Sequence, residues 1–140
     1  MATALDGGCL CGAIRYRISY TPGHTGHCHC GMCRRAAGSA MVTWITLKEA
    51  AVTLAKGEPR WYQSSDHGRR AFCAGCGTPL FFTSTRYPGY VDVTAGSLDQ
   101  PERVTPDRHV YEPDRIPWLL MSDGLPRHIG DSRTPRIAPD

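Results

Sequence analysis

The sequence predicts a single, mainly β domain with little helix, stapled by zinc. Three observations carry that prediction. Apolar side chains alternate with polar ones at a period of two in several short runs, the mark of half-buried strands. The eleven prolines and fifteen glycines are dispersed between those runs, as turns are, and are not gathered into a low-complexity tract. Seven cysteines fall into three tight clusters, spaced so that each cluster can deliver its sulfurs to one metal ion.

The elements follow in order. Ile14, Tyr16, Ile18 and Tyr20 alternate with Arg15, Arg17 and Ser19, giving the first strand. The run AMVTWITL, Ala40 to Leu47, is β-branched and apolar throughout and reads as a more buried strand. Short strands follow at Val52-Thr-Leu, Arg60-Trp-Tyr-Gln, Arg70-Ala-Phe, Pro79-Leu-Phe-Phe-Thr and Tyr90-Val-Asp-Val-Thr, divided by Gly, Pro and Asp turns. Helix is confined to Met32–Ala37, stopped by Gly38, and to one turn at Lys48-Glu49-Ala50. With no internal repeat or linker, residues 1–130 form one zinc-binding domain, and 131–140 form a loosely held tail poor in apolar residues.

Composition narrows the partners. No apolar run approaches the roughly 20 residues of a membrane span, so no membrane partner is expected. The formal charge of +3 is small, and seven thiolates with two zinc ions would cancel about three of it. Arginines are scattered, with doublets only at Arg34-Arg35 and Arg69-Arg70. That is no basic stripe, and no nucleic-acid partner is expected. The start Met1-Ala-Thr-Ala-Leu-Asp lacks the basic and apolar regions of a secretory signal. The odd number of cysteines leaves one unpaired in any disulfide scheme, and a Cys-x-Cys ring is strained. Metal thiolates in a reducing cytoplasm are the better use of these residues than a disulfide framework, although single redox thiols are compatible with the pattern.

Cys28, Cys30 and Cys33 lie on one loop. Cys9/Cys11 and Cys73/Cys76 are two distant pairs whose joining would tie the first strand to the middle of the chain. Seven then divides into a closed four-thiolate site and a three-thiolate site with a vacant position, and an open position is what a catalytic zinc keeps. A zinc ribbon of Cys30/Cys33 with Cys73/Cys76 is the rival pairing; it strands the other three cysteines and needs about twice the usual intervening length of roughly 15–20 residues. His24, His27 or His29 completing the three-cysteine site is a second alternative, although His29, between two ligands, should point away.

An open zinc with three thiolates is a weak Lewis acid for water, and its natural fourth ligand is another sulfur. The expected chemistry is therefore thiol activation, with amides at the start of the Met32–Ala37 helix offsetting negative charge. Arg34 and Arg35 follow the cluster directly and suit a thiol substrate's carboxylates. Arg69 and Arg70 read as surface charges, Trp44, Trp61 and Trp118 as core or rim packing, His109 as structural, and Asp123 and Pro126 as turn formers.

Four stretches carry a family resemblance: GGCLCGAIRY (Gly7 to Tyr16), CHCGMCRRAAGSA (Cys28 to Ala40), FCAGCGTPLFF (Phe72 to Phe82) and DRHVYEPDRIPWLLMSDGLPRH (Asp107 to His128). Together they resemble the glutathione-dependent formaldehyde-activating enzyme family, which also includes centromere protein V. The resemblance implies a β-tent of stacked antiparallel sheets. It further implies a structural zinc at Cys9, Cys11, Cys73 and Cys76, and a catalytic zinc at Cys28, Cys30 and Cys33. The implied activity is a carbon–sulfur lyase or synthase making S-(hydroxymethyl)glutathione, with glutathione as co-substrate and formaldehyde or another small aldehyde as partner. A non-enzymatic zinc module, binding glutathione adducts or a macromolecule, is the alternative on the same scaffold.

Overall fold

In RYRISY the alternation places Tyr16, Ile18 and Tyr20 on one face, and all three are buried. The same rule, applied strand by strand, builds the molecule. The computed structural model describes residues 2–138. Its strands are β1 (Thr3–Gly8), β2 (Arg15–Tyr20), β3 (Thr25–Cys28), β4 (Val42–Lys48), β5 (Val52–Lys56), β6 (Arg60–Gln63), β7 (Gly68–Phe72), β8 (Pro79–Ser84), β9 (Tyr90–Thr94) and β10 (Arg108–Val110). One α-helix, α1 (Gly31–Ala37), joins β3 to β4, and single 3-10 turns sit at Glu49–Ala51, Ala95–Ser97, Pro101–Arg103 and Glu112–Asp114. No helix among the described residues is long and apolar enough to cross a membrane.

The strands form two sheets. A small antiparallel sheet has the order β1-β2-β5, and a larger one runs β10-β3-β4-β9-β8-β7-β6. Every pairing is antiparallel except β10 with β3. The core lies between the sheets: Leu5, Tyr16 and Ile18 from the small sheet meet Ile45, Leu80, Phe81 and Val93 from the large one. Tyr16 meets Phe81 edge-to-face at 5.3 Å, and its hydroxyl is satisfied by Ser97 Oγ at 2.7 Å.

Cross-strand register decides what the large sheet shows on its other face. Arg70 pairs with Phe82, Phe82 with Asp92, and Asp92 with Thr46, so these four side chains form a row across four strands. Trp44, two residues before Thr46, lies on that face. Its ring is 6.1 Å from Phe82. Helix α1 contacts β4, and buried Cys33 packs with Val42, Ala37 and Trp44.

Several expectations need correcting. Strands β1, β3 and β10 were not anticipated. The sequences TALDGG and TGHC are rich in glycine and polar residues, and RHV is only three residues long. Trp118 does not pack in the core; it is 71% exposed. Residues Gly130 to Ile137 are tied back by hydrogen bonds from Ile129 N to the Pro135 carbonyl and from Ile137 N to the Arg127 carbonyl. The final two residues of the expected tail lie outside the described residues.

Candidate metal centre

The end of β1 and the end of β7 each lead into a turn that carries two cysteines. Gly12 N donates to the Cys9 carbonyl at 3.1 Å and Gly77 N to the Cys73 carbonyl at 2.8 Å, each glycine at positive φ (80° and 82°). The turns are bridged where Leu10 N donates to Thr78 Oγ1 at 3.0 Å. They bring the sulfurs of Cys9, Cys11, Cys73 and Cys76 within 4.8 Å of one another. Cys9 and Cys11 sulfurs are 3.6 Å apart, and those of Cys11 and Cys73 are 3.7 Å apart. A disulfide requires about 2.05 Å. The edge of a zinc tetrahedron with 2.3 Å bonds is roughly 3.8 Å. The donor set therefore fits a four-thiolate zinc. Amides and hydroxyls favour the anionic sulfurs: Ile14 N donates to Cys9 Sγ, and the Thr78 hydroxyl, 3.2 Å away, helps pull the Cys76 thiol down to about 5.

The second cluster is built at the junction of β3 and α1. Cys28 ends the strand, Cys30 caps the helix by accepting from Cys33 N at 3.3 Å, and Cys33 is buried in the first turn. The three sulfurs lie within 4.8 Å of one another, and among the described residues no histidine nitrogen joins that group. The Cys33 thiol is lowered by hydrogen bonds with Cys28 and Cys30 and then by Arg70. Cys28 is correspondingly raised. Arg70 was expected to be a surface charge; instead its Nη1 and Nη2 lie 3.5 and 3.6 Å from Cys33 Sγ. Strand pairing sends that side chain over the outer face toward α1, which spacing along the chain cannot reveal.

Histidines surround the same loop from behind. His29 Nε2 lies 2.8 Å from His109 Nδ1, and His109 Nε2 lies 2.7 Å from Asp123 Oδ2. Both rings are buried. Burial first, and His109 second, push the His29 imidazole down to about 4. His27 Nδ1 pairs with Thr43 Oγ1 at 2.8 Å. Asp123 also shapes the expected turn by accepting from Leu125 N. The polar pattern of DRHV and SDGLP was the available signal for this network, and it was read as turn and scaffold.

A cavity of about 610 Å³ opens beside Cys33, lined by Met32, Val42, Trp44, Tyr62, Phe81 and others, with Arg35 and Arg70 as its cations. Ion pairs elsewhere engage Arg15, Arg17, Arg108, Arg115, Arg127 and Arg133. Among the described residues none engages Arg35 or Arg70. Arg34 is not part of the lining, and its Nε is enclosed without a partner. A smaller depression of about 300 Å³ between Asp6 and Arg103 contains neither cysteine nor histidine.

Known proteins resemble this chain. A Halomonas elongata protein, provisionally named a glutathione-dependent formaldehyde-activating enzyme, is 28% identical over 82% of this chain and 79% of its own length. A Schizosaccharomyces pombe protein named an uncharacterized lyase is 28% identical over 79% of this chain and 80% of its own. The fold matches a crystal structure of a Rhodobacter sphaeroides protein with a TM-score of 0.59 at 22% identity, over 68% of this chain and 88% of that one. Residues 4–114, holding both sulfur clusters, match the family model described as glutathione-dependent formaldehyde-activating enzyme, and the chain belongs to that family.

Proposed function

We infer that the chain is a carbon–sulfur lyase or synthase that joins a carboxylate-bearing thiol, with glutathione the best candidate, to formaldehyde or another small aldehyde. The observation that carries this reading is the placement of Cys33 in the wall of a cavity whose two cations, Arg35 and Arg70, have no ion-paired carboxylate among the described residues. Glutathione brings two carboxylates and one thiol, which is the complement of that wall. Cys28, Cys30 and Cys33 would hold one zinc, and Cys9, Cys11, Cys73 and Cys76 a structural one. When bound at the three-cysteine site, zinc supplies a soft Lewis acid that favours the thiolate form of a thiol.

The protein's own groups do the remaining work. Arg35 and Arg70 orient the thiol substrate through its carboxylates, and Trp44, Val42 and Phe81 exclude water from one side. In the forward direction a sulfur–carbon bond forms, the carbonyl π pair passes to oxygen, and that oxygen takes a proton from solvent. The thiol proton is released to solvent. Cysteines used as metal ligands suit a reducing, cytoplasmic setting.

Exchange spectroscopy of glutathione with formaldehyde tests the reading, because the uncatalysed addition sets a measurable baseline. Purified protein should accelerate exchange, and Cys33→Ser should abolish the acceleration. No acceleration, together with no glutathione binding by calorimetry, would sink the proposal.

A further inference from the structure

The chain Asp123–His109–His29 ends between two of the proposed zinc ligands, and its direction can be worked out atom by atom. An ionised Asp123 can only accept, so the 2.7 Å contact requires hydrogen on His109 Nε2. Asp123 is in fact held below the usual carboxylate range: burial opposes its charge, but Leu125 N and then His109 outweigh it. With His109 as a neutral imidazole, one hydrogen is carried and its Nδ1 is left bare. The 2.8 Å contact from that nitrogen to His29 Nε2 then requires hydrogen on His29 Nε2. His29 Nδ1 is left as a bare lone pair, enclosed and without a partner among the described residues.

The rings cannot easily relax from this arrangement. They lie nearly coplanar and edge to edge across the hydrogen bond, with 17° between their planes and 5.1 Å between centroids, and both are essentially without solvent contact. The backbone repeats the constraint: Val110 pairs with Cys28 in the parallel β10–β3 ladder, and His29 N donates to the Val110 carbonyl at 3.1 Å. Asp123 is itself fixed by Leu125 N at 3.1 Å and by Arg127 Nη2 at 3.6 Å.

We propose that Asp123 and His109 are positioning residues for the three-cysteine site. By fixing the orientation and tautomer of His29, they hold Cys28 and Cys30, its two neighbours, in the arrangement that binds metal. The inference rests on reading Cys28, Cys30 and Cys33 as metal ligands. Outer partners of this kind commonly change metal affinity by about 10- to 100-fold. Asp123 lies beyond the stretch that matches the family model, which ends at residue 114.

The test uses zinc-loaded full-length protein and two readouts. Nitrogen-15 spectra of the histidine side chains should show His29 and His109 both as Nε2–H tautomers. Asp123→Ala should change the His109 signals, and Asp123→Asn should change them less. In competition with a chromophoric chelator, wild type should release two zinc ions in two steps. Asp123→Ala should weaken the easier step about 10- to 100-fold and leave the other unchanged. Arg133→Ala breaks the Arg133–Asp131 pair in the same C-terminal segment and serves as the control for general loosening. One zinc per wild-type chain would overturn the reading of the three-cysteine site itself. Two zinc ions with an unchanged easier step in Asp123→Ala would overturn the positioning role, as would an equal loss in Arg133→Ala. Imidazolium signals at His109 would overturn the tautomer assignment.

Discussion

The guanidinium of Arg70 forks toward the sulfur of Cys33, at 3.5 and 3.6 Å, from a strand on the other side of the cavity. Its Nε donates to Ser64 Oγ at 3.2 Å, and its plane lies 5.0 Å over the Phe82 ring. A cation held on three sides is fixed before any substrate arrives, and it needs no reorganisation to offset a negative sulfur.

Replacing that cation should therefore weaken thiol binding without unfolding the protein. Arg70→Met keeps the unbranched stem without the guanidinium and should cost about 1.5–3 kcal/mol in glutathione affinity, the usual value of a charged hydrogen bond. Arg70→Lys should recover part of the loss, because a point charge cannot fork. Calorimetric titration measures both, and wild-type affinity in Arg70→Met would refute the assignment.

The two sulfur clusters should fail in different ways. Cys73→Ser removes a ligand from the cluster that ties β1 to β7, and an insoluble or unfolded chain is expected, since structural zinc affinity is folding free energy. Cys30→Ser should leave folded protein with one zinc fewer by elemental analysis. Equal loss of solubility from both changes would make the second cluster structural as well.

Asp92 supplies a pH signature. Burial, and secondarily the negative Cys33, push its carboxyl up to about 6, against the opposing help of Thr46 and Arg70. Below about pH 4 the group is protonated whether the chain is folded or not. Between about pH 4 and 6 only the unfolded chain ionises, so stability falls across that window and then levels off. Asp92→Asn should remove the fall and raise stability at pH 7 by about 1–3 kcal/mol. Thermal melts at pH 4, 5, 6 and 7 compare the two proteins, and parallel curves would show that Asp92 does not titrate in this way.

Gly57 is a stability test away from the cavity. Its φ is +69°, and an added Cβ would lie 2.2 Å from the Ala13 carbonyl oxygen, a backbone atom that cannot step aside. Gly57→Ala should cost at least about 2 kcal/mol in denaturant unfolding. A loss of less than half that would mean the connection between β5 and β6 shifts freely.

Much of the fold could be read along the chain because its strands obey local alternation: Tyr16 and Ile18, or Val91 and Val93, bury every second residue. Strands β1, β3 and β10 escaped because their burial comes from the neighbours they pair with. Thr25 and His27, for example, are polar and nevertheless buried. The cysteine groups were legible for the opposite reason, since two or three residues of spacing already confine the sulfurs. Arg70, His109 and Asp123 had no such local mark. Their places depend on cross-strand register and on one parallel pairing formed between distant segments.

That parallel pairing also sets an order on synthesis. The ribosome releases Cys28 to Cys33 well before His109, Val110 and Asp123. A nascent chain that has passed Cys76 already holds everything needed to gather its four-sulfur knot, yet β3 still has a bare edge where β10 will dock. The three-cysteine loop, fully synthesised before the four-sulfur site, is thus finished after it.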